Sequence, residues 1–299
     1  MRNGVRVAKR HFTVTDMFDL RQALHIATLD ALMASRRWEP GDLIFQGGTS
    51  LHLVHGSPRY SEDLDFLVKS SLRLDAISDA ILARLTDTAW VPHDTSLSVS
   101  RAKDGHNPHA FVVAIGGADV IGGVRVRVEL WRADADVMSA IRVVVAPVKL
   151  SRGAVAGMQT FVPTAVLPEI YADKVFALGS RPYLKPRDVF DLHWLVSQTG
   201  IAGCQPSDMR VRLATYPNET PAAWLGKAFA RRENLLSSIP AVTNDLKRWL
   251  PSSWPLDEAN VKAMVDTSVA ALDHGVGLIR DIAHQTDVTD QPDPERPVP

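Results

Sequence analysis

I-F-Q-G-G-T-S-L-H-L-V-H-G-S-P-R-Y-S-E-D-L-D-F-L-V, residues 44–68, is the stretch on which the reading of the whole chain turns. A short apolar run ends in Gly47-Gly48-Thr49-Ser50, and Asp63 and Asp65 then alternate with Leu64 and Phe66. The pattern predicts a strand, a tight turn, a short helix and a second strand. Successive strand side chains point to opposite faces, so Asp63 and Asp65 share one face and Leu64 and Phe66 the other. Neighbouring ionised carboxylates repel and are costly to desolvate unless a cation joins them. A hard cation such as Mg²⁺ takes one or two carboxylates together with water and substrate phosphates. The turn suits the other half of such a site. Glycines let a backbone approach a ligand closely, a helix start offers N–H groups to an anion, and Thr49 and Ser50 add hydroxyl donors.

Taken singly, a Gly-Gly turn is usually a turn, and Asp-x-Asp is common on solvated strand edges. Their order is more specific: G-G-[ST], thirteen residues (50–62), then Asp-h-Asp-h, where h is apolar. It resembles the signature of the DNA polymerase β-like nucleotidyltransferases. The longer string G-G-T-S-L…R-Y-S-E-D-L-D-F resembles the AbiEii/AbiGii toxin family within that superfamily. The resemblance implies an α+β fold, with a nucleotidyltransferase-type mixed sheet flanked by helices and a helical C-terminal domain behind it.

Length and composition set the bounds. The 299 residues suffice for one large or two ordinary domains with a substantial core. Hydrophobic residues at 45% and charged residues at 22% fit a soluble globular protein. A net charge of −1 gives no global pull toward nucleic acid, so any RNA site must be a local basic patch. The single cysteine, Cys204, excludes an internal disulfide and a multi-cysteine zinc site. No apolar run approaches the roughly 18 residues needed to span a bilayer, and the N-terminus lacks the apolar core of a signal peptide. No membrane association and a cytoplasmic location are expected.

Outward from the central stretch, residues 1–13 read as a basic, frayed terminus and 15 to about 37 as a scaffold helix. His52 and His55 are three apart on the short helix, but no third nitrogen or thiolate ligand lies nearby, which argues against a metal pair. Leu72 to Leu85 has helical spacing over 72–88. Residues 97–101, 110–115, 141–148 and 158–162 read as strands. The clearest alternation in the chain is V-R-V-R-V-E-L-W, residues 124–131, with Arg125, Arg127, Glu129 and Trp131 on its polar face. From about 166 to 283 the pattern is helical. Domains are therefore expected at 1–163 (nucleotidyltransferase-like) and 164–283 (helical, completing the cleft), with a disordered, proline-rich tail at 284–299.

The second informative stretch is P-E-I-Y-A-D-K-V-F-A-L-G-S-R-P-Y-L-K-P-R-D-V-F-D-L-H-W-L, residues 168–195. Pro168 and Pro186 suit helix starts and Gly179 a helix end. Lys174 falls among Ile170, Ala177 and Leu178, where a lysine either snorkels or brings a point charge to a phosphate. Asp188 in a first turn is either a dipole partner or functional.

The same AbiEii-like family has a downstream A-[DE]-K…R…R-D-x-x-D-L pattern, which Ala172-Asp173-Lys174, Arg181 and Arg187 to Leu192 match. The resemblance implies that Lys174 holds nucleotide phosphates, with Asp188 or Asp191 orienting it or the acceptor. It adds Arg59 and Arg187 to the nucleotide contacts of Gly47, Gly48, Thr49 and Ser50. It makes Glu129 the third carboxylate facing Asp63 and Asp65, although Glu129 also has Arg125 and Arg127 as ordinary partners. The implied activity is transfer of a nucleotide from an NTP to a hydroxyl acceptor, with Mg²⁺ (Mn²⁺ the alternative) on Asp63, Asp65 and Glu129. RNA is the implied acceptor, with the tRNA 3′ end as a candidate site on it, and the implied biology is a bacterial toxin–antitoxin or phage-defence pair with a separately encoded antitoxin. A kinase or a protein-nucleotidylating enzyme on the same fold, or a non-catalytic binding module, are the alternatives left open.

Overall fold

The computed structural model describes residues 9–87, 91–101, 107–148, 160–199, 204–216 and 219–289. The chain divides into two compact units, Met1–Ala165 and Val166–Pro299. In the first unit the order is β1 (Arg10–His11), α1 (Val14–Ala34), β2 (Leu43–Gln46), α2 (Gly47–Leu53), β3 (Leu64–Lys69), α3 (Ile77–Thr86), β4 (Ser96–Arg101), β5 (His109–Gly116), β6 (Val120–Ile121), β7 (Val124–Ala133), α4 (Ala135–Ala140), β8 (Val143–Pro147) and β9 (Phe161–Ala165). Seven strands form one mixed sheet in the order β4-β5-β7-β3-β2-β9-β8. β3 lies antiparallel to β2 and parallel to β7.

Strand alternation gives this sheet two chemically different faces. Leu43, Phe45, Leu64, Phe66, Val68, Val124, Val126, Val128 and Leu130 turn to one side, where they pack with Leu24 and Leu32 of α1 and Ile81 and Leu85 of α3. Phe45 stacks on Phe66 with ring centroids 4.9 Å apart. Asp65, Glu129, Arg127 and Arg125 have the opposite parity and share the other face.

Several boundaries differ from the sequence reading. The α1 N-cap is Thr13, whose hydroxyl accepts from the Asp16 N–H while Asp16 accepts from the Thr13 N–H, a capping box ahead of Thr15. Helix α3 starts at Ile77 rather than 72, because Leu72 and Leu74 sit in turns, with the Leu72 and Ile77 N–H groups donating to the Lys69 and Leu74 carbonyls. Arg10 and His11 are not frayed but pair with Val120 and Ile121; residues 1–8 lie outside the described residues. The last strand is Phe161–Ala165 instead of 158–162, so Pro163, the expected domain boundary, is inside it. A proline is tolerated there because β9 meets β2 in register only at Phe45–Thr164.

The second unit contains α5 (Leu167–Ser180), α6 (Pro186–Thr199), α7 (Pro206–Thr215), α8 (Pro221–Leu236), α9 (Ile239–Leu246) and α10 (Glu258–Thr289). Gly179 does not end α5, which continues to Ser180. Its hydrogen faces Trp224, where a Cβ would lie 2.5 Å from the indole. The tail expected from 284 is helical through Thr289. Each added residue of a formed helix gains a backbone bond, Gln285 accepts from Arg210, and the first proline of the tail is Pro292. Residues 290–299 lie outside the described residues. No helix among the described residues is long and apolar enough to cross a membrane.

Candidate active site

Asp65 is the second residue of β3, and Asp63 immediately precedes that strand. In the parallel β3–β7 ladder Asp65 is the direct register partner of Glu129, and in the β2–β3 ladder it is opposite Gln46, the residue before the glycine turn. Gly47 has a φ of +78°, and a Cβ there would lie 2.6 Å from the Asp65 Oδ2. Only glycine satisfies both the left-handed backbone and that close approach. The turn therefore seats the Asp65 carboxylate beside the start of α2.

The loop that brings in Asp63 is held by its own carbonyls. The Ser57 carbonyl accepts from His52 Nδ1 at 2.8 Å, the Tyr60 carbonyl from Arg59 Nη1 at 2.7 Å, and the Glu62 carbonyl from His25 Nε2 at 2.8 Å. The Asp63 carbonyl itself accepts from the Thr49 hydroxyl. Burial pushes the His25 imidazole down to about 4 and lowers that of His52 as well. Both rings are thus neutral near pH 7. His52 is further fixed by Gln22, 2.8 Å from its Nε2, and His55 lies 3.1 Å from the Ala165 carbonyl. These histidines are braces rather than a metal pair. His25 and Gln22 were not singled out in the sequence, because a loop carbonyl carries no residue-type signal.

The turn residues divide by role. The hydroxyls of Thr49 and Ser50, expected as anion donors, are fully buried and engaged inside the fold, Ser50 with Thr164 Oγ1 at 2.6 Å. What the turn can present to a phosphate is backbone N–H. Arg59 is only 2% exposed and its guanidinium covers Gly48, so it braces the loop.

Glu129 Oε1 accepts from Arg127 Nε at 2.5 Å and Oε2 from Trp131 Nε1 at 3.1 Å, both two residues away on the same face. Among the described residues no three His, Cys, Asp or Glu side chains are gathered as a metal cage. Of the expected trio, Asp65 and Glu129 share a sheet face, Asp63 lies just before the strand, and Arg127 gives Glu129 a charge-assisted bond. The donor chemistry still suits a hard divalent ion. Two carboxylates, water and phosphate oxygens are the usual Mg²⁺ complement. Asp63 and Asp65 fit that role, and Glu129, with a free acceptor site left on each oxygen beside the Arg127 and Trp131 bonds, has the chemistry to join them.

In the helical unit Lys174 is buried, its Nζ 2.7 Å from Asp188 Oδ1 and 2.8 Å from Asp191 Oδ2. The two aspartates are three apart on α6, hence on one side of it. Both hold the lysine. Arg181 also donates to Asp188 Oδ2. Burial pushes the Asp188 carboxyl up, but Lys174 and Arg181 outweigh it and hold the group well below the usual carboxylate range. Asp173, the residue before Lys174, accepts from the Tyr216 hydroxyl at 3.3 Å. Arg187 lies over the Trp249 ring, 4.4 Å from its centroid, a cation–π contact.

A mixed sheet sets Asp65 between a glycine turn and an in-register glutamate, and the family that the chain matches is one of nucleotidyltransferases. Its family model, described as nucleotidyl transferase AbiEii toxin, type IV toxin–antitoxin system, matches residues 30–243, well over half of the chain, and the chain belongs to that family. It is a toxin-type nucleotidyltransferase, of a family that implies an NTP substrate and an antitoxin partner, and enzymes of this kind generally use a divalent metal. Among solved structures, MenT4, a nucleotidyltransferase toxin from Mycobacterium tuberculosis, superposes with a TM-score of 0.56 at 16% identity over 92% of each chain. JHP933 from Helicobacter pylori covers 91% of this chain and 97% of its own at 18% identity, with a TM-score of 0.48. No curated protein sequence matches.

Proposed function

We propose that this enzyme transfers a nucleotide from an NTP to a hydroxyl of RNA, with the tRNA 3′ end as the first candidate. The observation that carries the reading is the seating of Asp65 against Gly47, in register with Glu129 and one residue from Asp63 across Leu64. On this reading Asp63 and Asp65, joined by Glu129, hold Mg²⁺ (Mn²⁺ the alternative), which when bound neutralises charge at the phosphates. The backbone of Gly47 to Ser50 binds the triphosphate, and in the helical unit Asp188 and Asp191 orient the Lys174 ammonium as a phosphate ligand. Arg59 and Arg187 act indirectly, through the loop and through Trp249.

The acceptor oxygen forms a bond to the α-phosphorus, and the bond from that phosphorus to the β-phosphate bridging oxygen breaks. Pyrophosphate leaves with the electron pair, and the acceptor proton passes to Glu129. Positioning and charge neutralisation carry most of the rate.

The test supplies purified protein with Mg²⁺, total RNA and cell protein, using α-labelled and γ-labelled triphosphates in parallel, beside Asp63→Ala. Label from the α-position in RNA, absent with the variant, is the expected result. Label from the γ-position alone would mean a kinase, and α-label in protein a protein-nucleotidylating enzyme. No transfer, with biological effect intact in the variant, would mean a binding module.

A further inference from the structure

The sheet face that carries Asp65 and Glu129 continues beyond them into a trough that the reading above leaves unused. A cavity of about 860 Å³ lies over β4, β5 and β7, with Arg21, Glu62 and Asp63 among its lining and Arg125 and Arg127 along β7. Its floor is low, because the cross-strand row beside Arg125 is Ser98 and Ala114. Charge changes sign along β7. Glu129, Arg127 and Arg125 follow one another on one face, two residues and hence roughly 6.8 Å apart. That step is on the order of the separation between successive phosphates of an extended nucleic-acid strand. Arg127 is shared with Glu129 and Arg21 with Glu62 (3.3 Å). Arg125 is exposed and forms no ion pair among the described residues.

Strand order decides which substrate this trough suits. In β5-β7-β3-β2 the Asp65 strand is central, with the glycine turn on the β2 side and the trough on the β7 side. In-line phosphoryl transfer needs the attacking and leaving oxygens on opposite sides of the phosphorus. With the triphosphate on the glycine turn, the attacking hydroxyl comes from the β7 side.

We infer that the β4–β5–β7 trough binds the single-stranded 3′ end of the acceptor RNA, Arg127 and Arg125 taking the backbone phosphates that precede the terminal nucleotide. The inference rests on the proposed RNA acceptor. Arg125 is a binding residue here, outside the reacting set.

The test measures binding of a fluorescein-labelled short single-stranded RNA with a free 3′-hydroxyl, across a salt series, to wild type, Arg125→Gln, Arg125→Glu and Arg125→Lys. Steady-state transfer from α-labelled NTP into total RNA runs beside it. Loss of one phosphate contact should reduce the log–log salt slope by about 0.7. Affinity for RNA should fall about three- to tenfold in Arg125→Gln and further in Arg125→Glu, with Arg125→Lys close to wild type and the KM for NTP unchanged. Arg125 is exposed, so the variants should unfold at the wild-type temperature. A raised KM for NTP with unchanged RNA binding would assign the trough to the triphosphate and overturn the inference, as would unchanged RNA binding and salt slope in Arg125→Glu. Failure of wild type itself to bind or label RNA would remove the acceptor reading, and a wild type that labels protein instead would give the trough to a polypeptide.

Discussion

In the sheet unit the candidate carboxylates are placed by backbone: Asp65 by its ladder positions and a glycine turn, Asp63 by a loop whose carbonyls His52, Arg59, His25 and Thr49 hold. In the helical unit the candidate phosphate ligand is placed by other charges, Lys174 by Asp188 and Asp191, with Arg181 behind Asp188. Charges positioned by backbone can be altered with little cost to folding, since the scaffold does not depend on them. Charges that position one another are part of the scaffold. Substitutions in the two units should therefore separate activity from stability.

The largest effect is expected at Lys174. Lys174→Met keeps the stem and removes the charge, leaving two buried aspartates with Arg181 still bonded to Asp188. Breaking a buried pair in this way costs roughly 3–5 kcal/mol. Urea unfolding followed by circular dichroism should show that loss, and a stability within about 1 kcal/mol of wild type would mean that the cluster is not structural. Asp65→Asn is the counterpart. It is nearly isosteric and removes one charge from a half-buried position, so stability should change by less than about 1 kcal/mol. Transfer from α-labelled NTP should fall about 10²–10³-fold, the range for losing one electrostatic contact in a transition state. Equal losses of stability in the two variants would erase the contrast between the units.

Titration gives a second way to separate them. The folded His25 pKa, lowered by burial from 6.5 to about 4, means that the unfolded chain binds a proton there before the folded one does. Its contribution is therefore complete above pH 6.5 and declines as pH falls toward 4, by on the order of 3 kcal/mol in all. Asp188 is depressed below its ordinary 3.8, so its contribution persists above that value and is lost only at lower pH. His193 in the helical unit shifts the same way as His25 but is only half-buried. Unfolding followed by Tyr and Trp signals from pH 7 to 3 should show the sheet unit weakening first. His25→Gln, which keeps a donor for the Glu62 carbonyl but does not titrate, should flatten the slope between 6.5 and 4.

Much of this arrangement was legible in the sequence, and the gaps have physical causes. The parity of Asp65 and the alternation of residues 124–131 told which side chains share a sheet face, and the helical arc placed Lys174 on the buried side of α5. Apolar spacing at Leu72 and Leu74 reported packing correctly, yet Leu74 is buried and Leu72 partly buried from turns, because spacing records which residues face inward and not the backbone that puts them there. Thr49 and Ser50 have the composition of anion donors whether their hydroxyls face a ligand or the fold. His25 was scarcely readable, since its partner is a carbonyl 37 residues away. The helix running on to Thr289 was hidden by polar residues that a helix tolerates once started.

The smallest effect on transfer, and the sharpest on placement, is expected from Gly47→Ala. The left-handed backbone alone costs an alanine roughly 1–2 kcal/mol. Its Cβ, 2.6 Å from the Asp65 Oδ2 position, also forces the carboxylate to move or the turn to open. Near-attack geometry is lost with displacements of about 1 Å, so transfer should fall by about 10²-fold even though Asp65 remains in the chain. Gly41, with φ of +82° and no atom near its Cβ position, is the control. Gly41→Ala should carry the same backbone cost and leave the specific activity of the folded protein unchanged. Equal activity losses in the two variants would show that strain alone, and not the seat it provides for Asp65, accounts for the glycine at position 47.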